Sequence, residues 1–249
     1  MPRSIQKKLI FIHIPKNAGK FIEDRYGLSA FPGQEANQRN RTFLGKLSRL
    51  ILRLDRENVT KCISNLSGMI DVALVGQHMT LAEIQCLGAY SSKNNNTSLL
   101  ASGVNTSLLT SVRNPYSRML SIYCHMVPAR RWSQTHFEEF AEFWPVEINP
   151  EMRHNVRSFK RCQSDFVMAL EGVIPSNLFV AKMESLYDDL AVFEAKTGIK
   201  PVFHPSDIVS SNHLRKKIPS SSKPQISSEV KKSVLKHYLR DFDVFSYDT

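Results

Sequence analysis

A chain of 249 residues with 42% hydrophobic and 22% charged side chains has ordinary globular composition, and it is long enough for one large domain or two small ones. A formal net charge of +10 points to anionic partners: a nucleotide, nucleic acid, a sulfated or acidic glycan, or a membrane surface. The four cysteines, Cys62, Cys86, Cys124 and Cys162, form no CxxC pair and no Cys/His set with zinc spacing, which argues against a structural metal. They suit four free thiols in a reducing compartment, with one or two long-range disulfides as the alternative.

The chain opens on an apolar run, Leu9 to Ile14, whose Ile and Phe content suits a strand buried on both faces. It is far too short to span a bilayer. Pro15 stops the strand, Gly19 allows a tight path, and Phe21–Tyr26 reads as a helix. A strand, a turn with two lysines and a helix N-terminus together make a candidate anion site. Residues 29–41 read as a polar loop. Thr42 can cap a basic amphipathic helix from Phe43 to about Arg56, read as a surface helix with one buried face. Asp71–Gly76 is a second buried strand that ends at Gln77-His78-Met79. Thr80 then opens a helix from Leu81 to about Tyr90, with Glu83 placed for a capping box.

Residues 91–103 are a Ser/Asn-rich loop, and Thr106–Val112 a third strand. Arg113-Asn114-Pro115 ends that strand, with Pro115 suited to the first turn of a helix that runs to about Met126. A basic loop with Arg130, Arg131 and Trp132 leads to a short helix at about 136–143 and a longer one at about 151–170. Asn177–Lys182 is a fourth strand, and Leu186–Thr197 a helix closed by Gly198. A Pro/Ser/Lys-rich loop from 199 to 226 precedes a last helix, Ser228 to about Arg240, and the tail Asp241–Tyr247. This alternation implies a single α/β domain over residues 1–249, with a central parallel sheet flanked by helices and with 29–66 and 91–105 as insertions or loops. Such sheets bind ligands at the C-terminal ends of their strands, which gathers 15–20, 77–79 and 113–115 at one edge.

Those three segments carry a specific resemblance. Phe11-Ile12-His13-Ile14-Pro15-Lys16-Asn17-Ala18-Gly19 resembles the 5′-phosphosulfate loop of sulfotransferases that use 3′-phosphoadenosine-5′-phosphosulfate, in the carbohydrate branch of Golgi type. Ser111 to Tyr123, with its Arg-Asn-Pro-Tyr-x-Arg block and the helix residue Ser121, is similar to that family's 3′-phosphate motif. Gln163–Phe166, Glu184-x-Leu186-x-x-Asp188, Asn212 and Asp241–Tyr247 fall in family order, so the resemblance covers nearly the whole chain.

The resemblance implies a P-loop-like sulfotransferase fold. It also implies transfer of a sulfuryl group to a hydroxyl, with a glycan as the favoured acceptor, a tyrosyl peptide or a small alcohol as the alternatives, and no nucleic acid as partner. Backbone N–H groups over Asn17, Ala18, Gly19, Lys20 and Phe21 would hold the 5′-phosphate. Lys16 would stabilise the leaving group, and Arg113 with Ser121 would hold the 3′-phosphate. His78 resembles the catalytic base, with Glu83 in reserve; His13 reads as a core histidine. The electrostatic work falls to Lys16, Arg113 and backbone dipoles, so no metal is expected.

Two residues depart from the family pattern: Asn17 stands where Thr is usual, and Lys20 where Ser or Thr is usual. Gly19-Lys20 also looks like the end of a Walker A loop, which makes a kinase or ATPase the rival. However, Ile14 and Phe21 occupy the positions of its first glycine and its magnesium-binding hydroxyl. A sulfotransferase-like protein that binds polyanions without catalysis is the other alternative. The basic segments Arg130–Trp132 and Arg215–Lys217 read either as acceptor-gripping loops or as solvated charge. Met1–Ser4 runs straight into the first strand, which suggests a cytoplasmic protein. Sequons at Asn40, Asn58, Asn65, Asn95, Asn96 and Asn105, with the resemblance, lean instead towards a Golgi lumen and a missing leader.

Overall fold

The computed structural model describes residues 3–4, 9–28, 78–84, 106–145, 154–202 and 223–249. Its frame is a four-stranded sheet in the order β1 (Arg3–Ser4), β2 (Leu9–Ile12), β3 (Ser107–Val112) and β4 (Leu178–Lys182). β2, β3 and β4 run parallel, with Leu9 opposite Ser107 and Leu108 opposite Leu178. The short edge strand β1 pairs antiparallel with β2, an addition to the purely parallel sheet expected.

All four residues of β2 are buried, so both of its faces are covered. The two faces sort by the alternation of a strand. Ile10, Ile12, Leu108 and Val112 pack with Met79, Leu81, Ile84, Phe166 and Phe245. Leu9, Phe11, Leu109 and Ala181 pack with Ile22 and Tyr26 of helix α1 (Gly19–Tyr26) and with Leu190 and Phe193 of a later helix, Leu186–Thr197. Burying a side chain such as Phe11 or Ile12 contributes about 1.5–3 kcal/mol. The α/β architecture read from the sequence is therefore present, with a small three-stranded parallel sheet.

After β3 come α2 (Pro115–Met126), α3 (Gln134–Phe143), α4 (His154–Lys160) and α5 (Gln163–Val167). The helix after β4 is α6 (Leu186–Thr197), and the last is α7 (Ser228–Phe245). α2, α3 and α7 share a core of Tyr116, Met119, Tyr123, Phe137, Val230, Val234 and Phe242. Local sequence fixes their ends. Asn114 accepts from the N–H groups of Tyr116 and Ser117 at 3.0 and 3.4 Å, with Pro115 at the first helical position. Ser133 and Ser227 cap α3 and α7 in the same way. Gly198 ends α6 with φ of 69°.

Two helices differ from expectation. The single helix expected over 151–170 is broken: Cys162 adopts φ −58°, ψ 149° between α4 and α5. The break is made by tertiary partners. Asp241 accepts from the N–H groups of Gln163 and Ser164 at 2.8 and 2.9 Å, so α5 starts afresh under that carboxylate. Arg118 takes the carbonyls of Phe159 and Arg161 at 3.5 and 3.0 Å. The last helix runs beyond Arg240 to Phe245, with a kink at Tyr238, whose hydroxyl donates to the Lys160 carbonyl at 3.1 Å.

The expected strand 71–76 and helix 43–56 lie outside the described residues, as do Asn212, Arg215–Lys217, Cys62, Cys86 and the six sequon asparagines. Cys124 and Cys162 are free thiols. Among the described residues no helix is long and apolar enough to cross a membrane.

Candidate functional site

The turn after β2 is built from unusual backbone. Lys16 and Ala18 both have positive φ, 71° and 59°, although neither is glycine. A left-handed L-residue costs about 1–2 kcal/mol, and such strain collects at functional sites. The strained path delivers the chain into α1 with Ala18 as its N-cap and no side chain capping the end. The first N–H groups of a helix have no partner within it, so those of Gly19, Lys20 and Phe21 are donors without intrahelical acceptors, at the positive end of the helix dipole.

Asn17 and Lys20, the two residues that depart from the motif the loop resembles, each have a structural account. Asn17 is fully buried, and its amide is turned inward rather than towards a ligand. Nδ2 donates to the Ser111 carbonyl at 3.1 Å and to Gln163 Oε1 at 2.6 Å. The Ser111 hydroxyl in turn donates to the Asn17 carbonyl. Both amide hydrogens are thus committed, and any contact of Asn17 with an anion falls to its backbone N–H. Lys20 is exposed and pairs with Asp24 one turn along α1. Its ammonium lies along the helix surface at the rim of the site.

The second loop is held to the first by one side chain. Gln163, at the start of α5, is fully buried. Its Oε1 accepts from Asn17 Nδ2 and, at 2.9 Å, from the Arg113 N–H. Its Nε2 donates to the Arg113 carbonyl at 2.8 Å. From the other side the Asn114 N–H donates to Glu184 at 2.8 Å, and Tyr247 O–H donates to the same carboxylate at 3.0 Å. Arg118, 2% exposed, adds a bond from Nε to the Pro15 carbonyl at 3.4 Å. The backbone of Arg113 is therefore fixed while its guanidinium has no hydrogen-bond partner among the described residues. Burial lowers the pKa of Arg113, and the charge of Glu184 works against that. A half-buried cation without a hydrogen-bonded partner is a ready receptor for an anion.

Lys16, Lys20, Phe21, His78, Arg113 and Ser121 all line one cavity of about 380 Å³. His13, His125, Phe159 and Met183 complete much of its wall. His78 Nδ1 lies 3.2 Å from the carbonyl oxygen of His13. A carbonyl only accepts, so Nδ1 carries the proton and Nε2 is the basic nitrogen of the neutral ring. Glu83 is otherwise engaged. It closes a capping box with Thr80, through bonds of 2.8 and 3.1 Å, and it accepts from Arg161 at 3.0 Å. Arg130 and Arg131 are exposed and line neither this cavity nor its neighbour of about 450 Å³, which shares Ala18, Phe21 and Met183 and extends to Asp188.

Of the residues singled out in the sequence, the structure brings Lys16, Arg113, Ser121 and His78 to one cavity. Sequence reasoning read Arg118 only as the last residue of the Arg-Asn-Pro-Tyr-x-Arg block and gave it no role of its own, although the signal was present: a charged residue on the buried face of α2 beside Met119 and Ile122. His125 and Phe159 carried no signal, because their place on the wall depends on how α2 and α4 pack. Among the described residues no three His, Cys, Asp or Glu side chains group as a metal site. No protein-family model, curated protein or solved structure matches the chain, so the functional reading rests on the motif resemblance and the chemistry of this cavity.

Proposed function

We propose that the chain is a sulfotransferase with a P-loop-like α/β fold. It moves a sulfuryl group from 3′-phosphoadenosine-5′-phosphosulfate to a hydroxyl, with a carbohydrate as acceptor. The observation that carries this reading is the convergence of the uncapped start of α1, Lys16, the Arg113 guanidinium, Ser121 and His78 on one cavity. The residues fit a nucleotide with phosphates at two places, because two separate cationic or donor centres face the same space.

Each group has a part in the chemistry. The N–H groups of Gly19, Lys20 and Phe21, with the backbone of Asn17 and Ala18, bind the 5′-phosphate. Lys16 neutralises charge that grows on the leaving phosphate oxygen. Arg113 binds the 3′-phosphate as a fork, with the Ser121 hydroxyl beside it. His78 Nε2 takes the acceptor's hydroxyl proton. The acceptor O–S bond forms as the S–O bond to the 5′-phosphate breaks, and the proton ends on His78. Holding both partners in line supplies much of the acceleration.

A turnover assay with labelled donor, run against glycan, peptide and small-alcohol acceptors, tests this reading. Label is expected to pass to a glycan hydroxyl, and His78→Ala is expected to lose about 100-fold or more in kcat while nucleotide affinity stays nearly unchanged. Transfer to no acceptor, or full activity of His78→Ala, would overturn the reading or remove His78 from it, respectively. If the chain binds heparin-like polymer but no nucleotide, a polyanion-binding module replaces the enzyme.

A further inference from the structure

His13 follows directly on β2, and Glu23 lies in α1. Their side chains are 8% and 7% exposed, and His13 Nδ1 lies 2.5 Å from Glu23 Oε1. A carboxylate accepts, so Nδ1 carries a proton whichever charge state the ring has. The ring is pinned from a second side by Gly19: a methyl group there would come within 2.0 Å of His13 Nε2. Held in this way, the His13 ring meets the ring of His78 edge to face, with centroids 4.6 Å apart. The His13 carbonyl meanwhile receives His78 Nδ1–H at 3.2 Å. One residue therefore grips His78 through both its ring and its backbone. A buried carboxylate–imidazole pair is costly to desolvate, and an apolar pair would fill the same space more cheaply. Nothing in core packing calls for such a pair at the wall of the cavity.

We propose that His13 and Glu23 are positioning residues for His78: Glu23 locks the His13 ring, and His13 holds His78 as the Nδ1–H tautomer with Nε2 as its basic nitrogen. The consequence for turnover rests on the sulfuryl-transfer reading; the hold on His78 itself does not. Each residue acts on His78 as an outer partner acts on a catalytic imidazole, by fixing its ring and its tautomer.

The test is ¹⁵N NMR of the histidine side chains in nucleotide-free wild type, Glu23→Gln and Glu23→Leu, with steady-state kinetics on the same samples. Wild type is expected to show His78 as the Nδ1–H tautomer. In Glu23→Gln the amide oxygen still accepts from His13, so the His78 spectrum and kcat are expected to stay near wild type. In Glu23→Leu His78 is expected to give mixed tautomers, and kcat to fall at least about tenfold with the donor KM nearly unchanged. The proposal is overturned by a folded Glu23→Leu protein with unaltered His78 signals and kcat. It is overturned equally by a wild-type His78 that carries its proton on Nε2, a result that needs no variant to fold. If no acceptor is sulfated, the spectra still decide the positioning role, and the sulfuryl-transfer reading alone fails.

Discussion

Gln163→Leu removes the side chain that joins the two anion-facing loops while keeping its approximate volume. Three hydrogen bonds of 2.6, 2.9 and 2.8 Å are lost together. Asn17 keeps its bond to the Ser111 carbonyl, so the groups stranded outright are the Arg113 N–H and the Arg113 carbonyl. An unsatisfied buried polar group costs about 1–3 kcal/mol. Arg113 is half-buried, so the lower part of that range applies, and the total is about 2–4 kcal/mol. For a chain of this size that corresponds to a fall in Tm of about 4–16 °C. The control is Gln134→Leu. Gln134 also makes two backbone bonds, to Gln225 at 2.9 and 3.1 Å, but in an exposed setting where water replaces them. Its substitution should cost less than about 0.5 kcal/mol. Urea titration and thermal melts of both variants measure the difference. If Gln163→Leu is as mild as Gln134→Leu, the two loops are not coupled through Gln163 and the account of the site's rigidity is wrong.

Gly19→Ala places a methyl group 2.0 Å from His13 Nε2 while the ring is tethered to Glu23, so the ring must leave that carboxylate. A loss of about 1–3 kcal/mol in a urea melt is expected, and a neutral effect would show that the ring is free to move aside. Burial pushes the Cys162 thiol up to about 12, helped by the nearby Asp241 and Asp165. An unfolded thiol titrates at about 8.5, so above that pH the unfolded chain releases a proton that the folded chain keeps. The contribution of Cys162 to stability is therefore whole below about pH 8.5 and declines as pH rises towards 12. Cys162→Ala should flatten the alkaline limb of a plot of stability against pH, and site-resolved alkylation at pH 8 should label Cys162 far more slowly than a model thiol. An unchanged limb with fast labelling would contradict the burial argument.

Much of the site was legible because its signals are local. An apolar run stopped by Pro15, and another stopped by Arg113-Asn114-Pro115, mark two strand ends wherever the rest of the chain goes. The Thr80–Glu83 capping box is likewise a matter of three-residue spacing, and it formed as read. What failed to show was made by partners distant in sequence. Residues 151–170 keep a helical pattern of apolar residues across Arg161 and Cys162. The break there comes from Asp241 and Arg118, which no local pattern announces. Asn17 reads as a donor at the phosphate because its type and place suit that role. Only the fold shows both amide hydrogens spent on Ser111 and Gln163. His13 reads as a core histidine from its position at the strand end, and it is buried and paired as such a residue should be. Its contact with His78 depends on a segment far along the chain arriving beside it.

Calorimetry of adenosine 3′,5′-bisphosphate, the desulfated donor, tests the central claim most directly, with wild type and Arg113→Ala compared without magnesium and with it. Saturable one-to-one binding to wild type without magnesium is predicted, and Arg113→Ala should weaken it by about 1.5–3 kcal/mol, the usual worth of a charged hydrogen-bonded contact. Binding that requires magnesium, or equal affinity in Arg113→Ala, would contradict the account.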